Sequence, residues 1–238
     1  MNVDILGVTF DNVTLSQAVS RALALMGAGG HYVVTPNAEI LLNTKHDAHA
    51  RLALTSAGLI LPDGISIVRA AKKLGRPLKE RVTGIDFAQA LMEACKGKRF
   101  FLLGSKEGVA ETAGKRLSEK YSIVIAGTQS GYYIDEGSVL GDIKNAAPDV
   151  LFVCLGSPRQ EVFMLDHKHN IGNCLMVGLG GCLDVWSGNL KRAPKIFIKL
   201  KLEWLYRLLK QPSRIGRILK LRKFPSAVNR QKKAEKKK

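Results

Sequence analysis

Residues 98–127 read KRFFLLGSKEGVAETAGKRLSEKYSIVIAG, and their organisation decides the fold. Phe100-Phe101-Leu102-Leu103 is a continuous apolar run of strand length, and Ser105 stands where a helix cap would. The spacing predicts a helix to about Tyr121, and Ser122–Ala126 returns as a second apolar strand. Strands without polar alternation, joined by a helix, belong to a parallel sheet covered on both faces. The unit recurs downstream. A helix is predicted near Glu136–Ala146, then a strand at Val150–Leu155. Ser157-Pro158 supplies an N-cap and N1 proline for a helix to about Lys168, and Cys174–Val177 follows as a strand.

Upstream, Val3–Phe10 reads as one short strand. Thr14-Leu15-Ser16-Gln17 is a capping box for a helix to about Met26, broken by Gly27-Ala28-Gly29-Gly30. His31–Thr35 and Gly58–Leu61 are strand-like, and Asn37 can open a helix through the region of Leu42. Helices are expected at Ile65–Leu74 and Ile85–Cys95. The predicted fold class is α/β, a mostly parallel Rossmann-like sheet covered by helices, with a basic helical appendage at the C-terminal end.

Charge separates the two parts. The 238 residues carry 37 Lys+Arg and 20 Asp+Glu, a net +17. Residues 191–238 hold 18 of the basic residues against Glu203 and Glu235, a local +16, and residues 1–190 are left with +1. A near-neutral catalytic domain, 1–190, is thus expected to carry a phosphate-seeking appendage, 191–238. In the appendage Ile198, Leu202, Leu205 and Leu209 form a helical apolar stripe. Arg214–Lys223 is a second short amphipathic segment, and the lysine run from Arg230 onward is expected to be disordered.

Composition rules out wholesale disorder, collagen and a disulfide scaffold. No apolar run approaches the roughly 20 residues of a membrane span. Met1-Asn2-Val3-Asp4 lacks the basic and apolar regions of a signal peptide. With that start, Cys95, Cys154, Cys174 and Cys182, in apolar contexts without C-x-x-C spacing, read as reduced core thiols of a cytosolic protein. His46/His49 and His167/His169 have no carboxylate completing a zinc pattern and are expected at the surface. Asp-x-Asp, G-x-S-x-G and a P-loop are all missing, and no metal or cofactor is expected.

In open α/β sheets ligands bind beyond the carboxyl ends of strands. Thr35 and Asn37 lie there, although the residues alone favour Asn37 as a helix cap. Asp63, in Pro62-Asp63-Gly64, is either a turn former or a carboxylate placed to accept a proton. Gln160 follows Ser157 with capping-box spacing. Gly178-Leu179-Gly180-Gly181, running to Asp184, could let backbone amides approach a phosphate, but Leu183 breaks the dinucleotide pattern.

Taken in order, these segments resemble the WecG/TagA/CpsF family of bacterial glycosyltransferases, glycosyltransferase family 26. The resemblance is carried by Thr35-Pro36-Asn37-Ala38-Glu39, Leu61-Pro62-Asp63-Gly64-Ile65 and Glu80-Arg81-Val82-Thr83-Gly84. Gly156-Ser157-Pro158-Arg159-Gln160-Glu161 and the Gly178–Asp184 segment continue it, followed by Arg192-Ala193-Pro194-Lys195 and Leu202–Leu208. It implies inverting transfer of N-acetylmannosamine from UDP-ManNAc to undecaprenyl-diphosphate-GlcNAc, a β-1,4 linkage of wall teichoic acid or a related polymer. Relatives using UDP-ManNAcA or UDP-glucose keep those donors open.

By the same resemblance Asp63 matches the general base. Thr35, Asn37, Arg81 and Gln160 match pocket residues, and Gly178, Gly180, Gly181 and Asp184 match the nucleotide loop. Arg207, Arg214 and Arg217 match appendage arginines that bind diphosphate. It further implies a UDP-sugar donor, a polyprenyl-diphosphate acceptor, an anionic membrane surface and self-association among the partners. The expected location is cytoplasmic, on the inner face of the membrane. A nucleic-acid-binding reading rests on the +16 charge alone, and the apolar stripe and the lack of any nucleic-acid motif argue against it. A nicotinamide-dependent oxidoreductase rests only on the imperfect glycine loop.

Overall fold

The structure, a computed structural model, describes residues 1–194, 196–197, 203–210 and 215–237. The chain opens with an antiparallel hairpin, β1 (Val3–Ile5) and β2 (Val8–Phe10), where the sequence predicts one strand. Leu6 at φ 54° and Gly7 at φ 76° make the tight turn, and a leucine in that role hides it from pattern reading. α1 (Leu15–Met26) then begins on the predicted capping box, with Gln17 N–H donating to Thr14 Oγ1 at 3.3 Å. β3 (Tyr32–Val34), α2 (Ala38–Asn43), a 3-10 turn, α3 (Ala48–Thr55) and β4 (Leu59–Ile60) follow. The sequence predicts nothing at α3, which Asp47 caps by accepting from Ala50 N–H.

Next come α4 (Ile65–Lys73), α5 (Gly84–Ala94), β5 (Arg99–Gly104), α6 (Val109–Tyr121), β6 (Val124–Gln129) and α7 (Glu136–Ala146). β7 (Val150–Cys154), α8 (Arg159–His167), β8 (Leu175–Gly178) and α9 (Cys182–Trp186) complete the α/β region. Two predicted caps are corrected. α6 starts after Gly108, not at Ser105. α8 has Pro158 at its cap with no side-chain hydrogen bond, so Ser157 and Gln160 form no capping box. Ser105 and Gln160 are engaged elsewhere, as described below.

Six parallel strands form one sheet in the order β4-β3-β8-β7-β5-β6. Strand periodicity divides the core between its faces. Phe100, Leu102, Val150, Phe152 and Val177 point to a face covered by α1, α5, α6 and α9. Phe101, Leu103, Leu151, Val153 and Met176 point to the other, covered by the hairpin, α2, α4, α7 and α8. Burial on both faces explains why these strands show no polar alternation. All four cysteines are buried, and burial pushes the Cys174 thiol up to about 12.

Beyond residue 194 the described segments are helical: α10 (Glu203–Lys210), α11 (Ile215–Leu221) and α12 (Lys223–Glu235). The expected disorder after Arg230 is corrected here. In α12, Phe224, Ala227 and Val228 are buried, and Phe224 and Val228 join the core of the second face. One turn further, Gln231 accepts from Leu6 N–H at 2.8 Å and donates to Asp4 Oδ1 at 2.9 Å. Arg76 pairs with Glu235 at 2.5 Å. The apolar stripe of a helix, not its lysine content, decides whether it docks.

Candidate active site

The carboxyl edge of the sheet is split by the way its strands exit. The helices after β3 and β7 cross to one face, and those after β8 and β5 cross to the other. Along β3-β8-β7-β5 every neighbouring pair therefore diverges, opening the crevices in which α/β sheets hold ligands. Among the described residues, the expected α/β site residues gather there.

Asp63 follows β4, and its Oδ2 faces the backbone N–H of Gly84, the first residue of α5, at 3.5 Å. A carboxylate near a helix N-terminus sits in a favourable dipole. Gly84 also abuts Thr35, since a Cβ there would come within 3.0 Å of Thr35 Oγ1. Glycine lets α5 approach closely enough to bring Asp63 and Thr35 to one point. Thr35 is buried and donates to the Gly178 carbonyl at 3.1 Å, tying the exits of β3 and β8 together. Asn37 accepts from Glu39 N–H at 2.9 Å and Ile40 N–H at 3.1 Å, which bears out its helix-cap reading. It also lies against the residue after Asp63, so the cap is part of the site wall.

The glycine loop after β8 is held from both sides. Gly180 N–H donates to Gln160 Oε1 at 2.9 Å, and Asp184 Oδ1 accepts from Ser105 Oγ at 2.8 Å. Ser105, with φ 60°, sits in the left-handed region that most residues avoid. Its carbonyl accepts from Gly131 N–H at 2.9 Å. The sequence reading missed Ser105 as a partner of Asp184 because the contact spans 79 positions. Gln160 is almost wholly buried, with both ends of its amide turned toward the protein.

Around the start of α5 lies a polar cluster. Thr83 caps the helix and donates to Asp86 Oδ2 at 2.6 Å, while Asp86 Oδ1 pairs with Arg192 at 2.5 Å. Arg81 pairs with Glu203 of α10 at 2.6 Å, both side chains being largely buried. Glu203 carried no assigned role in the sequence. Of the appendage arginines, Arg214 lies outside the described residues, and for Arg207 in α10 and Arg217 in α11 only the backbone is described. Among the described residues no group of three or more His, Cys, Asp or Glu is placed to hold a metal ion, and no helix is long and apolar enough to cross a membrane.

A parallel α/β sheet with a carboxylate, a glycine-rich loop and arginines at its carboxyl edge has the arrangement in which open α/β sheets hold ligands. The model of the glycosyl transferase WecG/TagA/CpsF family matches residues 3–238, so the chain belongs to that family and is a glycosyltransferase. It is similar to a Bacillus spizizenii protein, 41% identical over 202 residues, 84% of this chain and 79% of the relative. A Staphylococcus aureus protein is 37% identical over 227 residues, 91% of this chain and 87% of the relative. Both relatives are named N-acetylglucosaminyldiphosphoundecaprenol N-acetyl-beta-D-mannosaminyltransferase.

Proposed function

We propose that this chain transfers N-acetylmannosamine from UDP-ManNAc to undecaprenyl-diphosphate-GlcNAc with inversion. The observation that carries the reading is near full-length similarity to two enzymes so named. The placement of Asp63 at the focus of the carboxyl edge supports it. Asp63 takes the proton of the acceptor 4-hydroxyl as that oxygen attacks the anomeric carbon, and the bond to UDP breaks on the opposite face. Backbone amides of the Gly178–Gly181 loop and arginines balance the charge of the departing diphosphate. Thr35 and Asn37 shape the wall beside the base, and Asp184 receives the nucleoside.

The appendage docks on the inner leaflet of the membrane, the surface on which a polyprenyl acceptor lies. Leu209, Ile215 and Leu219 are exposed on α10 and α11 among basic residues, which suits an interfacial helix. The family resemblance assigns diphosphate binding to Arg207, Arg214 and Arg217 of the same appendage.

The test is transfer by the purified chain to a short-chain polyprenyl-diphosphate-GlcNAc, read by mass spectrometry. UDP-ManNAc, UDP-ManNAcA and UDP-glucose are supplied separately. A disaccharide product from UDP-ManNAc is expected. Product from another donor only would overturn the donor assignment.

A further inference from the structure

Glu161 is the most buried carboxylate in the described structure, 1% exposed, and the proposed chemistry gives it no task. It lies on the first turn of α8, directly after Gln160. Its Oε1 accepts from Gln160 Nε2 at 2.9 Å, and the buried hydroxyl of Ser157 also acts on the carboxyl, although Oε2 makes no hydrogen bond of good geometry. Burial pushes the carboxyl up from its ordinary range, and the Gln160 amide, then the Ser157 hydroxyl, act against that shift. A group this costly to bury calls for a reason.

The reason lies in the polarity of its partner. A glutamine amide is nearly symmetric in shape, so packing alone does not choose which end points where. Gly180 N–H takes Gln160 Oε1 as its acceptor. A carboxylate on the other side accepts only, and compels Nε2 to face it. The chain therefore runs in one direction: Gly180 N–H to Gln160, and Gln160 to Glu161. Gly180 itself, at φ 55°, stands in the left-handed region at the centre of the nucleotide loop.

We propose that Glu161 is a positioning residue for the donor site. By orienting the Gln160 amide it holds the Gly178–Gly181 loop in the shape that receives the UDP diphosphate. Gln160 then acts as a strut beneath the loop. This inference rests on the UDP-sugar reading above.

Three variants test it, each measured for UDP affinity by calorimetry, for donor KM and kcat, and for thermal stability. Glu161→Met keeps the volume and removes the acceptor. It is expected to weaken UDP binding and raise donor KM about 10-fold, with kcat at saturation within about 2-fold and no loss of thermal stability. A purely structural Glu161 would lower stability and leave affinity unchanged. Gln160→Glu opposes two carboxylates and is expected to weaken UDP binding at least about 10-fold. Adding Glu161→Gln gives the new carboxylate a donor: Gly180 N–H keeps its acceptor, the second hydrogen bond reverses to run from residue 161 to residue 160, and affinity should return to within about 3-fold of wild type.

If the double variant binds as poorly as Gln160→Glu, Gln160 contacts the ligand itself and the strut is wrong. The double variant decides the matter even where Glu161→Met does not fold. Wild-type protein that fails to bind UDP would remove the donor reading and this inference with it. Wild-type binding with unaltered affinity in Glu161→Met would remove the inference alone.

Discussion

Arg81 and Glu203 form an ion pair at 2.6 Å across 122 positions of sequence, joining the segment before α5 to the first described helix after residue 202. Arg81 matches a pocket residue and Glu203 belongs to the basic appendage, so the pair couples the two. Both side chains are largely buried, and removing one partner leaves the other's charge poorly solvated. Glu203→Gln is expected to cut transfer to a short-chain acceptor about 10-fold while UDP affinity stays within about 2-fold. Limited proteolysis should cut the 195–214 region faster in this variant. Unchanged transfer would make the pair a passive surface contact.

Asp63→Asn keeps the shape of the side chain and its place beside Gly84, and removes its basicity. The fold and UDP affinity should persist while turnover falls about 10²-fold or more, the usual scale for a positioned base. Near-native turnover would reduce Asp63 to a turn former.

Because burial raises the Glu161 carboxyl, the folded state holds that proton more tightly than the unfolded chain does. Its contribution to stability is fully present below the ordinary glutamate range and is lost as pH rises through the shifted value. Glu161→Gln cannot ionise. Its melting temperature relative to wild type should therefore climb as pH rises out of the ordinary glutamate range. A constant difference over that rise would show that Glu161 titrates as an exposed glutamate does.

Truncating the chain at Lys195 would remove more than a basic tail, because it takes Phe224 and Val228 out of the core beneath α4. Phe224→Ala alone should cost roughly 3–5 kcal/mol, the range for deleting a buried aromatic side chain, read by denaturant unfolding. Surface docking is separable from that loss. Leu209→Glu, Ile215→Glu and Leu219→Glu change exposed positions. Combined, they should release the protein from anionic vesicles without lowering its melting temperature. Retention on vesicles would place the membrane contact elsewhere.

The predictions at Arg81, Asp63 and Glu161 rest on contacts that differ in how far sequence could reveal them. The parallel sheet was legible in the apolar runs Phe100–Leu103 and Val150–Leu155, because strands buried on both faces cannot alternate. Thr14 and Gln17 announced α1, since a capping box is local chemistry. Asn37 was correctly read as a cap, for the same reason. Asp63, Thr35 and the Gly178 loop could be nominated because strand ends are where such sheets carry ligands. Leu6 concealed a hairpin turn, and the lysines of α12 concealed the stripe of Phe224 and Val228.

What only the tertiary structure decided is which of these residues meet. Ser105 looked like a helix cap and instead holds Asp184, and Gln160 looked like half of a capping box and instead carries Gly180. Both alternatives satisfy the same hydrogen-bonding groups, so local sequence cannot choose between them. The choice falls to the sheet, whose strand order places β8 between β3 and β7 and sets the loop after β8 against residues 20 to 143 positions away. Sequence determined the elements because their rules act over a few residues. The site required the fold, because its distances are set by which strands become neighbours.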